Sequence, residues 1–428
     1  MMPPAQQIPA KHTVIPYYLI AVIAFLIVIG LCIPAAEVLT GHHFHPKILA
    51  ITHLAVLGWA TMLIFGASNQ LAPVLSEHAL YSEHIPCAVL VLLTAGTSLL
   101  VINFWRFSFG AAIFTGGSLV LLAFGLQAWN QFHTFRAGKE SIATRFILTA
   151  QLWLLLTAAL GLLLLINLRY SFLPASHLEY LKVHAAVGMA GWFLQLVTGV
   201  SSKLIPMFLL SQTTPNKLLS YTYYFFNGGL ALFLITGIVA GPAVIAPIAL
   251  LLILAGVIFY SRYVYICRRS AMRKRLDHGM RQTFLAISLL ILPLVLLGIS
   301  VLAGRRLPDG WGTAFGYSFM AGFISIIIMG QTFKTLPFII WMHINSPDEP
   351  PELMPANLYR EGLVRLQMWL YAPGYLLLIT GILLGQVRLL YAGIGLMMLA
   401  AAVYAGHVLY IISKLKCKWK LTSAIPHL

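Results

Sequence analysis

Twelve apolar runs, each long enough to cross a bilayer, constrain this chain more than any other feature. A hydrocarbon core about 30 Å thick needs roughly 20 apolar residues per helix. The runs begin near Ile15, Pro46, His84, Phe107, Arg145, Leu178, Tyr221, Pro242, Arg281, Thr313, Val364 and Leu389. Inside a bilayer every backbone N–H and C=O must find a partner within the chain, so such runs read as helices. No long polar insertion separates them. The expectation is one all-α polytopic membrane domain over 1–428. Only 9% of residues are charged and 60% are hydrophobic. A soluble domain carries about 25% charged residues, which excludes a soluble enzyme, and a disordered chain fails by the same measure. The first run is too long for a cleaved signal peptide and reads as a retained span.

The net charge is +16, from 27 Lys+Arg against 11 Asp+Glu. In a soluble chain that balance would suggest nucleic acid. Here the charge sits in short loops and reads as a topology signal, so the expected partner is the lipid bilayer and not nucleic acid. With a cytoplasmic N-terminus, the cytoplasmic loops hold Arg136, Lys139 and Arg145, then Arg262, Arg268, Arg269, Arg273, Lys274, Arg275 and Arg281. The tail adds Lys414, Lys416, Lys418 and Lys420. The opposite side holds fewer: Lys47, Arg106, Arg169, Lys182, Arg305, Arg306 and Arg388. Both termini are therefore expected in the cytoplasm, and a bacterial inner membrane is the expected location. The acidic residues Asp348, Glu349 and Glu352 fall on the cytoplasmic side without weighing against this. The four cysteines (Cys32, Cys87, Cys267, Cys417) form no CxxC pair, so neither a disulfide scaffold nor a thiolate zinc site is expected.

The second, sixth and tenth runs share a motif. They read GWATMLIFGASNQLAP from Gly58 to Pro73, GWFLQLVTGVSSKLIP from Gly191 to Pro206, and GFISIIIMGQTFKTLP from Gly322 to Pro337. Each is Gly, aromatic, six residues, Gly, six residues, Pro. The middle glycines Gly66, Gly199 and Gly330 are 133 and 131 residues apart. A fixed long period marks an internal repeat. The expected unit is four helices, with boundaries near 13–140, 141–277 and 278–420, arranged as three pseudo-repeats around a threefold axis. Small residues in equivalent helices would let backbones approach. Each proline is expected to break its helix near the cytoplasmic end.

This pattern resembles subunit I of the haem-copper oxidase superfamily, which includes cytochrome oxidases and nitric oxide reductases. Gly66-Ala-Ser-Asn69-Gln-Leu71-Ala-Pro73 is similar to that family's second-helix motif G-x-x-N-x-L-x-P. The spacing H-x-H-x4-G-[FW]-x6-G-x6-P also looks like the NnrS branch of haem-containing membrane proteins. The resemblance implies twelve helices in three arcs, haem, and electron transport. It also implies six metal-ligand histidines, and here the chain departs. The seventh run has no histidine, so copper is not expected at the usual site. The tenth run carries Phe315 and Tyr317 where the family has H-x-H, so oxygen reduction at a haem-copper pair is not expected either.

Two histidines nonetheless stand at the family's offsets. His53 is twenty residues before Pro73, and His184 is twenty-two before Pro206. Residues two apart on a helix point about 200° apart, so the family's paired positions face different pores. Rotating that arrangement by one repeat turns His53 and His184 toward the same pore, between the second and sixth helices. The expectation is a b-type haem with two histidine ligands near the outer face. Gly58, Gly188 and Gly191 would leave room beside it, and Lys47, Lys182 or Arg169 would meet its propionates.

Two further groups are candidates. His42, His43 and His45, together with His177, form an outer cluster whose imidazoles suit copper or zinc. Gln70, Lys203 and Lys334 stand three residues before each repeat proline and could form a polar cytoplasmic funnel for protons or an anion. Three functions follow. The first is a haem-binding redox protein, oxidoreductase-like, with a cytochrome or quinol as electron donor. The second is an active oxidase or nitric oxide reductase with relocated ligands. The third is a metal-free transporter or scaffold.

Overall fold

The computed structural model describes residues 9–239, 246–303, 307–345 and 354–416. Arg305, Arg306, Asp348, Glu349, Glu352, Cys417, Lys418, Lys420, the side chain of Lys416 and the expected helix start at Pro242 lie outside them. The described chain is all-helical. Twelve helices are long and apolar enough to cross a membrane: α1 (Lys11–Cys32), α2 (Pro46–Ser76), α3 (His84–Arg106), α4 (Ala111–Ala137), α5 (Ile142–Tyr170), α6 (His177–Leu209), α7 (Asn216–Gly237), α8 (Ala246–Arg269), α9 (His278–Ala303), α10 (Trp311–Ile344), α11 (Glu361–Leu384) and α12 (Val387–Ser413). The protein is thus an integral membrane protein by its helices. The side on which α1 begins and α12 ends is the terminal face, and the other is the distal face.

Local chemistry sets where helices begin and end. Pro46 opens α2, while the His45 imidazole accepts the Lys47 N–H. Ser141 and Thr144 form a capping box on α5, and Asp277 caps α9 by accepting the Met280 N–H. Gly385 closes α11 in the left-handed region at φ +65°, where glycine carries no Cβ penalty. Tight antiparallel packing follows from polar ties near the terminal face. Asn69, late in α2, donates to the Thr13 carbonyl, and Gln127, late in α4, donates to Asn69.

The motif-bearing helices α2, α6 and α10 are more deeply buried than the other nine, so they form the centre. Each contains one widened, π-helical stretch: Leu54–Thr61, Val187–Leu194 and Ser318–Ser325. These stretches start 133 and 131 residues apart, the period of the glycines. Their middle glycines each abut the helix before them. A Cβ on Gly66 would lie 2.6 Å from Tyr17 Cβ in α1, one on Gly199 2.7 Å from Phe146 Cβ in α5, and one on Gly330 2.8 Å from Gln282 Cβ in α9. Only glycine permits that approach.

Two tryptophans tie the three central helices together. Trp59 Nε1 of α2 donates to Ser325 Oγ of α10 at 3.0 Å, and Trp192 Nε1 of α6 donates to Thr61 Oγ1 of α2 at 3.3 Å. The same motif offsets hold Phe323 and Leu194, which can make no such bond.

One expectation is overturned. Pro73, Pro206 and Pro337 do not break their helices; each lies inside a helix that runs on past it. Membrane helices tolerate an interior proline because packed neighbours hold the freed backbone in place.

Candidate functional site

A cavity of about 1210 Å³ occupies the distal half of the bundle, and every one of the twelve helices contributes to its wall. Along the central helices the lining stops at Trp59, Leu194 and Ser325. Its inner end is therefore the layer where the tryptophans are hydrogen-bonded. At its distal end stand His43, His177, Glu179 and Lys182. The rest of the wall is mostly apolar.

The positions twenty and twenty-two residues before the three prolines all line this one cavity. They are His53 and Ile51 on α2, Ala186 and His184 on α6, and Tyr317 and Phe315 on α10. The structure thus brings His53 and His184 to a common space.

Hydrogen bonds fix the tautomer of both rings. Nδ1 of His53 lies 2.7 Å from the Leu49 carbonyl, and Nδ1 of His184 lies 3.0 Å from the Thr157 carbonyl. A carbonyl oxygen only accepts, so each Nδ1 carries the proton and each Nε2 keeps its lone pair. That is the arrangement of a metal-ligating histidine, whose second nitrogen donates to a backbone carbonyl. His53 is further held by stacking on Phe104, with ring centroids 4.6 Å apart. His184 packs against Gly161 of α5, where a Cβ would lie 2.9 Å from its Cε1. Gly161 and the Thr157 carbonyl were not among the expected site residues. The one signal in the sequence is a lone glycine within a leucine-rich helix, which marks a close approach without naming the partner.

Of the expected propionate partners, only Lys182 lines the cavity, paired with Glu179 at 2.7 Å. Lys47 instead donates to the Pro34 carbonyl, and Arg169 to the Phe109 carbonyl. Gly188 and Gly161 lie on the wall. Gly58 and Gly191 are spent on packing against Ala24 and Trp153, respectively.

The outer cluster does not converge. His42 Nδ1 accepts the Phe44 N–H, His45 Nδ1 accepts the Lys47 N–H, and His177 accepts from the Asn167 amide. Only His43 and His177 reach the cavity. Among the described residues no three His, Cys, Asp or Glu side chains are placed to share a metal ion. Burial, then the neighbouring His42 and Lys182, push His43 down to about 4, so it is neutral near pH 7.

Gln70, Lys203 and Lys334 do not form one funnel. Gln70 is buried, and its amide has no hydrogen-bond partner among the described residues. Lys203 is exposed. Lys334 forms an ion pair with Asp277 and lies 5.1 Å from the Phe208 ring. Asp277 was not expected here, because nothing in the spacing reveals that the start of α9 meets the end of α10.

No known family model matches this sequence, and no curated protein matches it significantly.

Proposed function

We propose that this chain is a haem-binding redox membrane protein on the fold of haem-copper oxidase subunit I. A b-type haem would sit between His53 and His184, with copper absent from the usual position. The observation that carries this reading is the pair of histidines, on different helices, that line one cavity with Nδ1 committed to a carbonyl and Nε2 available.

The space supports it too. Ligand pockets run roughly 300–1,000 Å³, and this cavity is at least as large. Its apolar wall suits a macrocycle, Gly161 and Gly188 leave room at the His184 side, and Lys182 can meet a carboxylate at the distal rim. When bound, haem supplies a one-electron ferric/ferrous couple. The protein's own contribution is to hold two neutral imidazoles in fixed tautomers, which favours electron transfer over gas binding. The apolar wall excludes water.

The pseudo-threefold arrangement belongs to the same proposal. The recurring π-helical stretches, the glycine contacts of α2, α6 and α10 with the preceding helix, and the cyclic order of the tryptophan bonds all support it. The loop charge bias supports a cytoplasmic terminal face.

The test is an absorption spectrum of detergent-purified protein, oxidised and reduced, beside His53→Ala and His184→Ala. Sharp reduced α and Soret bands, lost in either variant, are expected. A wild-type preparation without a Soret band, even after expression with haem supplied, sinks the reading.

A further inference from the structure

Trp59 lines the cavity floor six residues beyond His53 on the same helix. From it a file of rings runs toward the terminal face. Trp59 meets Tyr404 of α12 edge-on, with centroids 5.6 Å apart. Tyr404 meets Phe333 of α10 at 5.8 Å. Phe333 stacks on His407 at 4.7 Å and on Tyr359 at 6.3 Å, and His407 meets Tyr410 at 6.4 Å. Trp59, Tyr404, Phe333 and His407 are buried. Tyr359 and Tyr410 are half-buried at the end of the file. There Arg360 and Lys414 lie over the Tyr410 ring at 5.1 and 4.4 Å.

Close packing alone does not require these rings. The motif position of Phe333, three residues after the middle glycine, is Asn69 in α2 and Ser202 in α6. Both side chains make hydrogen bonds instead: the Asn69 amide donates to the Thr13 carbonyl, and the Ser202 hydroxyl donates to the Gly199 carbonyl. Of the three helices only α10 places a ring there, and among the described residues only there do ring contacts continue from the cavity floor to the terminal face. These rings, edge-on at Trp59–Tyr404–Phe333 and stacked at Phe333–His407, leave no gap along the file, and an electron tunnels better through packed atoms than across empty space. The basic rim attracts an anionic partner and steers its encounter.

We infer that the file Trp59–Tyr404–Phe333–His407 is an electron path linking the His53–His184 site to an anionic reduced-flavin carrier that docks on the terminal face. The inference rests on haem at that site. The reduced carrier would give up one electron, which a haem held by His53 and His184 would accept. No bond forms or breaks, and no proton transfer is needed at the rings. The protein is then a conduit that carries electrons from one side of the membrane to a haem near the other.

The experiment uses purified haem-loaded protein in liposomes sorted by which face is outward. Reduced flavin mononucleotide, anionic and confined to the outside, is mixed in, and the Soret shift is followed. With the terminal face outward, rapid reduction is expected. Phe333→Leu and Tyr404→Leu should slow it about tenfold or more, while Tyr404→Phe, which keeps the ring, should restore it. High salt should slow the wild type by screening the basic rim. With the distal face outward, the variants should match the wild type. Two results overturn the inference: wild-type rates in leucine variants of unchanged spectrum, or no reduction from the terminal face. A missing Soret band is seen before any rate is measured, and it defeats the haem reading itself.

Discussion

His184 depends on two atoms it does not own. The Thr157 carbonyl fixes its tautomer, and the missing side chain of Gly161 leaves space for its ring. Gly161→Ala would place a methyl 2.9 Å from Cε1 and push the imidazole out of register. Loss of such support around a metal ligand costs about 10–100-fold in affinity. Haem titration into the Gly161→Ala protein should show a loss of that order, with helix content unchanged by circular dichroism. A second prediction concerns pH. The neutral form of His43 is favoured in the folded protein, where its value is about 4 against an ordinary 6.5. Its contribution to stability is therefore full above about 6.5 and declines as pH falls toward about 4. Melting temperatures measured from pH 7.5 to 4.5 should fall on acidification, and His43→Gln should flatten part of that slope. That His53 and His184 face one cavity was legible because a fixed offset from a repeated proline survives in the sequence. The supporting atoms were not, because they belong to α5, whose rotation against α6 no local pattern records.

Helix number and most helix starts follow from hydropathy alone, because in a bilayer one variable, apolar length, decides both. The central trio was legible through its glycines, and their role is measurable. A Cβ at Gly66 or Gly199 falls 2.6 or 2.7 Å from the Cβ of Tyr17 or Phe146, so the helix pair must separate. Overpacking of this kind costs typically 1–3 kcal/mol. Gly66→Val and Gly199→Val should each lower the unfolding free energy in detergent by that amount, whereas Gly395→Ala, where a Cβ meets nothing within 4 Å, should not. The π-helical stretches were not legible. Nothing in GWAT, GWFL or GFIS differs from ordinary α-helical sequence, and the extra residue is accommodated by packing around the cavity. The prolines mislead in the opposite sense: the rule for soluble helices predicts a break, and tertiary packing overrides it.

Across the membrane the molecule has two unlike halves. The distal half surrounds an apolar cavity that ends at Trp59, Leu194 and Ser325. The terminal half is closely packed but polar: Gln70, Gln131 and Gln282 are buried there, and their amides lack partners among the described residues. Buried amides of this kind usually hold water. Between the halves stands the layer made by Trp59 on Ser325 and Trp192 on Thr61. Its two hydrogen bonds, worth about 0.6 kcal/mol each in a membrane interior, matter less than the rings that fill the space. A permeation path would need that layer to open, and nothing about Gln70, Lys203 and Lys334 supplies a converging route beneath it. Liposomes carrying the wild-type protein and a trapped pH dye should therefore leak protons no faster than empty liposomes. Trp59→Ala with Trp192→Ala should join the cavity to the polar half and raise the leak. If the wild type conducts, the layer is a gate and the transporter reading takes precedence over the redox one. If neither protein conducts, the seal lies deeper than these two rings, in the glycine contacts of α2 and α6 with their neighbours.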